Sequence, residues 1–418
     1  MKFHRYLCQG LPLESSRRLV LLTGARQTGK TTLIQDTYRG LPYFDLDAPE
    51  NRETIQAVSS FSWGRDIGNA IFDEAQKEPA IFEKIKFAFD ARAISFSVLT
   101  GSSQILLLKR IRESMAGRVS LFELWPLLFA ELLTPEGSPP PAPPLLDLFL
   151  TREEGATLCS ALPGILSGKA NDDADRAFRH LIQWGGMPAL PGMPANERWK
   201  WLKDYEYTYL QRDLADLSRL NDLQPFRAFQ RLAALRTACL LNYSQLARDA
   251  GISVDTARRY LEYLRLSYQV ILLQPYHKNL TSSVVKTPKL HWLDVGICRS
   301  LVGNQGDPTG ELFESLVVSE VYKWLKTARS DAEVYYYRTH SGAELDLLLQ
   351  TEHGLLGLEI KKTRRLASAD FRTMKEVGKA LGKAWRGGFL IYTGRKVEKI
   401  ADPDIWAMPF SRLFMPFS

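Results

Sequence analysis

The chain has only four cysteines in 418 residues, Cys8, Cys159, Cys239 and Cys298, each far from the next. Their isolation removes a disulfide framework and a paired-cysteine zinc site, and it points to a reduced, cytoplasmic protein. Long apolar runs are also lacking. "LWPLLFA" is closed by Glu131 and interrupted by Pro126, far short of a membrane span. The opening "MKFHRYLCQG" is basic but has no apolar stretch of signal-peptide length. Charge density of the histone kind is absent: a formal net charge of +7 permits nucleic-acid binding without requiring it. No internal repeat is evident. What remains, 45% apolar and 24% charged residues, is the composition of a soluble globular protein of two or three domains.

The most informative stretch is "RRLVLLTGARQTGKTTLIQDTY" (17–38). Leu19 to Leu22 read as a buried strand, and the residues after Gly29 read as the start of a helix. Between them stands G-x-x-x-x-G-K-[ST]. A loop with few bulky side chains brings backbone N–H groups to a phosphate, and the helix N-terminus adds its dipole. Gly24, Gln27, Thr28, Gly29, Lys30, Thr31 and Thr32 are thus the candidate cradle for ATP. Lys30 would reach the β- and γ-phosphates, and Thr31 would ligate Mg²⁺.

"NAIFDEAQ" supplies the second strand such a site needs, ending in two acids. Asp73 is placed at the Mg²⁺ and Glu74 at the attacking water, with Gln76 as a polar neighbour. "SFSVLTGSS" offers Thr100, Ser102 and Ser103 near the γ-phosphate, of which Ser102 is the choice. Arg118 in "MAGRVS" is the candidate arginine finger, since charge developing in the transition state needs a cation. A solvated helix face is the plainer reading of Arg118 and of Arg110 and Arg112 before it.

"NYSQLARDAGISVDTARRYLEYLRLSYQV" (242–270) has helix-turn-helix spacing, with Gly251 at the turn and Ser253 capping the second helix. Arg258, Arg259 and Arg265 are left facing outward for DNA, and "VILLQPY" and "KLHWLDVG" can form wing strands. Residues 240–302 carry eight Lys/Arg against four Asp/Glu, a modest basic excess. The competing role for such a module is a lid or subunit contact.

Past the Gly/Asp/Pro cluster "VGNQGDPTG" (302–310), "GELFESLVVSEVYKWLK" reads as a helix. Glu314 heads its apolar stripe of Val317, Val318, Val321, Tyr322 and Leu325. A carboxylate there needs a cation or a donor. Glu320 reads as a surface residue. "AELDLLLQ" and "LLGLEIKK" then form a hairpin carrying Asp346, Glu359 and Lys361. Strand alternation puts Glu359 and Lys361 on one face, and likewise Glu344 and Asp346. Glu314, Asp346 and Glu359 are candidate Mg²⁺ ligands, and Lys361 a group that positions water.

"GARQTGKTT", "IFDEAQ", "LTGSSQ" with "AGRV", "LWPLLFAE", "WGGMPAL", "YTYLQRDLADL" and "PKLHWLDVGI" together resemble a group of prokaryotic AAA+-type ATPases related to STAND and archaeal ATPases. Their C-terminal domain is similar to PD-(D/E)XK nucleases. The proline-rich 136–144 departs from that pattern. The resemblance implies an α/β fold: a P-loop NTPase with a parallel sheet (1–190), a helical lid and winged-helix region (191–302) and a restriction-endonuclease-like domain (303–418). It implies ATP and Mg²⁺ as cofactors and a homo-oligomer, a hexamer being one form. The leading expectation is an ATP-hydrolysing motor on DNA ends or branches, with an unidentified protein as a further candidate partner. The alternatives are a STAND-type signalling or defence switch, and an ATPase whose nuclease-like domain only binds DNA.

Overall fold

The computed structural model describes residues 3–101, 117–134, 138, 141–153, 155–165, 168–217, 223–277, 287–338, 342–401 and 404–417, without the side chains of 155–157 and 209–217. An N-terminal sheet of five strands has the order β2-β3-β4-β1-β5. These are β1 (Arg18–Thr23), β2 (Tyr43–Asp45), β3 (Ile71–Asp73), β4 (Phe96–Gly101) and β5 (Val119–Glu123). All their pairings are parallel. Leu19, Val20, Leu21 and Leu22 are fully buried, because a central parallel strand is covered on both faces. The chain is therefore α/β, with the helix α1 (Lys30–Thr37) following β1 directly.

The expected helix-turn-helix is formed by α2 (Tyr243–Ala250) and α3 (Val254–Leu266). Gly251 has φ 65°, and Ser253 accepts from the Thr256 N–H as the cap. Strands β7 (Val270–Pro275) and β8 (Lys289–Trp292) pair antiparallel behind it, while β6 (Cys239–Leu240) flanks β8. These strands do not stand apart from the C-terminal part. β7 pairs in parallel with β9 (Glu333–Arg338), so one nine-stranded sheet runs β13-β14-β12-β11-β10-β9-β7-β8-β6. Its C-terminal members are β10 (Glu344–Thr351), β11 (Gly354–Lys361), β12 (Trp385–Tyr392), β13 (Glu398–Ala401) and β14 (Ile405–Pro409). The loop at 303–309 lies between helices, and the sheet crosses that point of the chain.

Helix α4 (Gly310–Thr327) is buried on more than one face. Val317, Val318, Val321 and Leu325 enter the core, as their spacing predicts. Glu320, expected at the surface, is 1% exposed. The stripe counted from Glu314 left out the reverse face, which packs on residues 127–129: Glu320 accepts the Phe129 N–H at 2.9 Å and pairs with Lys323, whose Nζ donates to the Leu127 carbonyl at 2.9 Å. One apolar core accordingly reaches from Trp125 through the helix-turn-helix to Phe414. Among the described residues no helix is long and apolar enough to cross a membrane.

Candidate functional site

The phosphate loop leaves the C-terminal end of β1. Gly24 has φ 152°, and a Cβ there would collide with the Leu124 carbonyl oxygen, so only glycine lets the loop pass β5. Gly29 has φ 93°, immediately before α1. Lys30, 6% exposed, donates to the carbonyls of Gly24 and Ala25 at 3.0 and 2.9 Å. It is thus folded across its own loop, where the phosphates of a nucleotide would offer stronger acceptors. Thr28 is buried and donates to the Ala25 carbonyl at 2.9 Å; Gln27 and Thr32 are exposed at the rim.

Asp73 ends β3 beside this loop. Its carboxylate accepts from the Thr31 hydroxyl at 2.5 Å, the Tyr43 phenol at 2.9 Å, the Glu74 N–H at 3.0 Å and the Thr100 hydroxyl. Burial and the Asp73 charge push the Tyr43 phenol above its ordinary pKa, so it remains a donor. Thr31 and Asp73 therefore already stand together, a hydroxyl and a carboxylate suited to a hard cation, and the pair fits Mg²⁺. Glu74 is held in the left-handed region (φ 52°) with its carboxylate bonded by Gln76. Thr100 is the hydroxyl of β4 that meets Asp73; Ser102 and Ser103 lie outside the described residues.

Arg118 sits at the other end of the strands. β5 runs parallel to β1 with Leu19 beside Val119 and Thr23 beside Glu123, so the residue before Val119 is at the edge opposite the loop. There its Nε lies 2.6 Å from Asp90 Oδ1. Within one chain Arg118 does not approach Lys30.

Two residues at this site had no motif to announce them. Arg5 donates to the Thr28 carbonyl at 2.7 Å, to Glu131 at 3.0 Å and to the Trp125 carbonyl. Glu131, 1% exposed, also accepts from the N–H groups of Tyr6 and Leu128 at 2.7 and 3.0 Å. Tyr268 stands two residues past α3 with φ 62°, an unfavourable backbone for an aromatic residue. Its hydroxyl donates to Thr23 Oγ1 at 2.7 Å and lies 3.3 Å from Glu123 Oε1, and its ring meets Trp125 edge-on. The turn after the helix-turn-helix is thus fixed to the last residue before the phosphate loop. The Arg5–Glu131, Arg5–Trp125 and Tyr268–Thr23 contacts each span more than a hundred residues of chain, which no local pattern records.

On α3, Arg258 and Arg259 are exposed. Arg258 lies 3.7 Å from Asp255 and over the Tyr243 ring. Arg265 makes a two-point ion pair with Glu262, at 2.8 and 2.6 Å, so its charge is already matched.

The C-terminal acids converge. Glu314 of α4, Glu344 and Asp346 of β10 and Glu359 of β11 surround two lysines. Lys289 Nζ lies 2.7 Å from Glu314 Oε1, 2.7 Å from Glu344 Oε1 and 3.7 Å from Asp346 Oδ1. Lys361 Nζ lies 2.7 Å from Glu359 Oε1, and the Ile360 N–H donates to Asp346 Oδ2 at 2.8 Å. Glu314 thus has the cation its position demands, supplied by β8. Burial, reinforced by Asp346, pushes Glu314 and Glu359 up to about 8. Among the described residues no group of three His, Cys, Asp or Glu side chains is arranged to hold a metal ion.

Residues 16–133 match the family described as an AAA domain. With the parallel sheet, the loop and the Thr31–Asp73 pair, this supports an ATPase of the AAA type. Residues 175–307 and 309–413 match two domains of unknown function, DUF8612 and DUF4143. Uncharacterized proteins of Mycobacterium tuberculosis and Mycobacterium bovis are each 28% identical over 360 residues, 82% of this chain and 70% of theirs. Among solved structures, a Walker-type ATPase of Pyrococcus abyssi is 15% identical over 71% of this chain and 94% of its own, with a TM-score of 0.40. DnaA of Aquifex aeolicus, bound to AMPPCP, is 13% identical over 60% of this chain and 84% of its own, with a TM-score of 0.26. At such TM-scores these likenesses carry no weight for function.

Proposed function

We propose that this protein is an ATP-hydrolysing, DNA-binding AAA-type machine in which the nucleotide at the phosphate loop and DNA at the helix-turn-helix influence one another. The observation that carries the reading is the Tyr268–Thr23 hydrogen bond, 2.7 Å long, between the turn after α3 and the strand that ends at Gly24. A change in the loop on nucleotide binding moves Thr23, and Tyr268 passes that displacement to α3 with Arg258 and Arg259.

In the chemical step, Lys30 leaves the Gly24 and Ala25 carbonyls for the phosphate oxygens, and the backbone N–H groups of the loop cradle them. Thr31 and Asp73 would hold Mg²⁺, which neutralises phosphate charge when bound. Glu74, oriented by Gln76, accepts a proton from the attacking water. Arg118, at the far edge of the sheet, serves a neighbouring subunit if it serves as a finger, which makes the active form a homo-oligomer. The C-terminal domain contributes DNA binding on this reading, and cleavage is not required of it.

The test is ATP turnover with and without linear, forked, four-way and single-stranded DNA, beside DNA affinity across a salt series. A several-fold stimulation by one of these DNAs is expected. Replacing Arg258 and Arg259 by Ala lowers DNA affinity and flattens the salt dependence by about one unit of slope per lost phosphate contact. Slow turnover that no DNA alters, with a salt series unmoved by the arginine changes, would instead favour the nucleotide-gated switch.

A further inference from the structure

The carboxylate cluster of the C-terminal domain has its cation built in. Lys289 is 4% exposed, and its ammonium occupies the space between Glu314, Glu344 and Asp346. The contact with Glu314 is a close ion pair of 2.7 Å, less well aligned than the hydrogen bond of 2.7 Å to Glu344. Lys361 takes one oxygen of Glu359, and the Ile360 N–H takes one of Asp346. Each of the four acids therefore already faces an ammonium. His291, two residues along β8, is fully buried beside Ser315, and burial together with the Lys289 charge holds its pKa well below the usual range, so it stays neutral and does not compete for the acids.

Mg²⁺ needs oxygens at about 2.0–2.1 Å in a near-octahedral set and gives up its water reluctantly. An ammonium between three of the acids denies it both the volume and the charge. Glu314 Oε1 and Glu359 Oε2 are buried without an aligned hydrogen bond among the described residues, but Lys289 Nζ lies 2.7 Å from the first, and two oxygens on separate acids do not make a near-octahedral set. The blocking residue comes from outside the hairpin and its helix: β8 belongs to the segment behind the helix-turn-helix, so its position in the cluster is set by the shared sheet.

We propose that Lys289 is the resident cation of this cluster, standing where a divalent metal would bind. Glu314, Asp346 and Glu359 then hold no divalent ion in the folded protein, and the domain does not cut DNA by metal-assisted hydrolysis. The cluster instead ties β8 to α4 and β10. This inference is independent of whether DNA is the partner.

The experiment is a Mn²⁺ titration of the nucleotide-free full chain, followed by the electron paramagnetic resonance signal of free Mn²⁺. Wild type and Asp346→Asn should bind Mn²⁺ with the same stoichiometry. Lys289→Met should gain one site, and adding Asp346→Asn should remove it. A site in the wild type that Asp346→Asn abolishes overturns the proposal. So does a folded Lys289→Met that gains no site. If Lys289→Met does not fold, the comparison of wild type with Asp346→Asn decides alone. ATP turnover, measured on the same samples, reports separately on the phosphate loop.

Discussion

Four donors meet on Asp73, and the consequence is a division of labour between neighbouring acids. Asp73 is fixed by Thr31, Tyr43, Thr100 and the Glu74 N–H, while among the described residues the Glu74 side chain is held by Gln76 alone. Lys30→Ala should therefore abolish turnover and weaken ATP binding, because the phosphates lose their counter-charge. Glu74→Gln should keep ATP bound and lower turnover by about a hundredfold or more, the size of a lost general base. Single-turnover hydrolysis beside fluorescent-nucleotide binding separates the two, and wild-type turnover in Glu74→Gln would remove Glu74 from the water. A different residue adds a pH dependence of its own. His180 lines a cleft of about 830 Å³ with Leu132, Leu133 and Arg198, and its Nε2 is buried without a partner among the described residues. Burial, and secondarily the Arg198 charge, lower its pKa to about 4 from the ordinary 6.5. Between those values the unfolded chain takes a proton that the folded chain refuses. The His180 contribution to stability is thus lost as the pH falls through this window, by at most about 1.4 kcal/mol per pH unit, against the opposite slope given by the raised Glu314 and Glu359. His180→Asn should flatten that slope, read as the urea midpoint at several pH values. What was legible at this scale was contiguous: Gly24 to Thr31 and Asp73 to Gln76 each announce themselves within a few positions. Arg5, Tyr268 and Lys289 did not, because their meaning comes from partners a long way along the chain.

Helix α4 shows why an element with a clear apolar stripe can still be misread. Glu314 heads the stripe and finds Lys289, as a carboxylate in that position must. Glu320 is on the reverse face, and single-helix periodicity treats whatever lies opposite the stripe as solvent-facing. That face instead meets the N–H of Phe129 and the carbonyl of Leu127, polar backbone at a helix start that needs partners. Glu320 and Lys323 provide one of each kind, and burial pushes the Glu320 pKa upward against the pull of Lys323. The stretch "LWPLLFAE" is accordingly a joint: Glu131 holds Arg5 and Tyr6, and the residues before it receive α4. Glu320→Ala should cost about 3–5 kcal/mol, since it strands a buried ammonium. Glu320→Gln combined with Lys323→Met keeps an acceptor for Phe129 and removes both charges, so it should recover most of the loss. Equal destabilisation by the double change in urea unfolding would show that the ion pair itself, not the stranded charge, sets the cost.

At the scale of the molecule, the elements around the phosphate loop and those behind the helix-turn-helix are joined by polar contacts. Asp294 accepts the Gly186 N–H at 2.7 Å and caps the helix Val295–Val302, and the Leu127 N–H donates to the Gly186 carbonyl at 2.7 Å. Arg5 and Tyr268 then bring this frame to the phosphate loop itself. Such a frame can carry a coupling free energy between sites, of about 1–3 kcal/mol in ordinary cases. Tyr268→Phe is the sharpest probe of it. The ring keeps its contact with Trp125, and Thr23 Oγ1 keeps the Phe122 carbonyl as an acceptor at 3.4 Å, so no buried hydroxyl is orphaned. Basal turnover and ATP affinity should stay within about twofold, while stimulation by DNA should fall toward unity. Linkage governs the binding steps: the factor by which DNA changes ATP affinity, and the factor by which DNA affinity differs between the nucleotide-free and ATP-bound states, should shrink equally. Calorimetric ATP binding with and without DNA, and DNA binding in both nucleotide states, give the four corners of that cycle. Stimulation that survives in Tyr268→Phe would move the coupling to the Arg5–Glu131 side of the loop, and a loss of ATP affinity in the absence of DNA would make Tyr268 a support of the loop and nothing more.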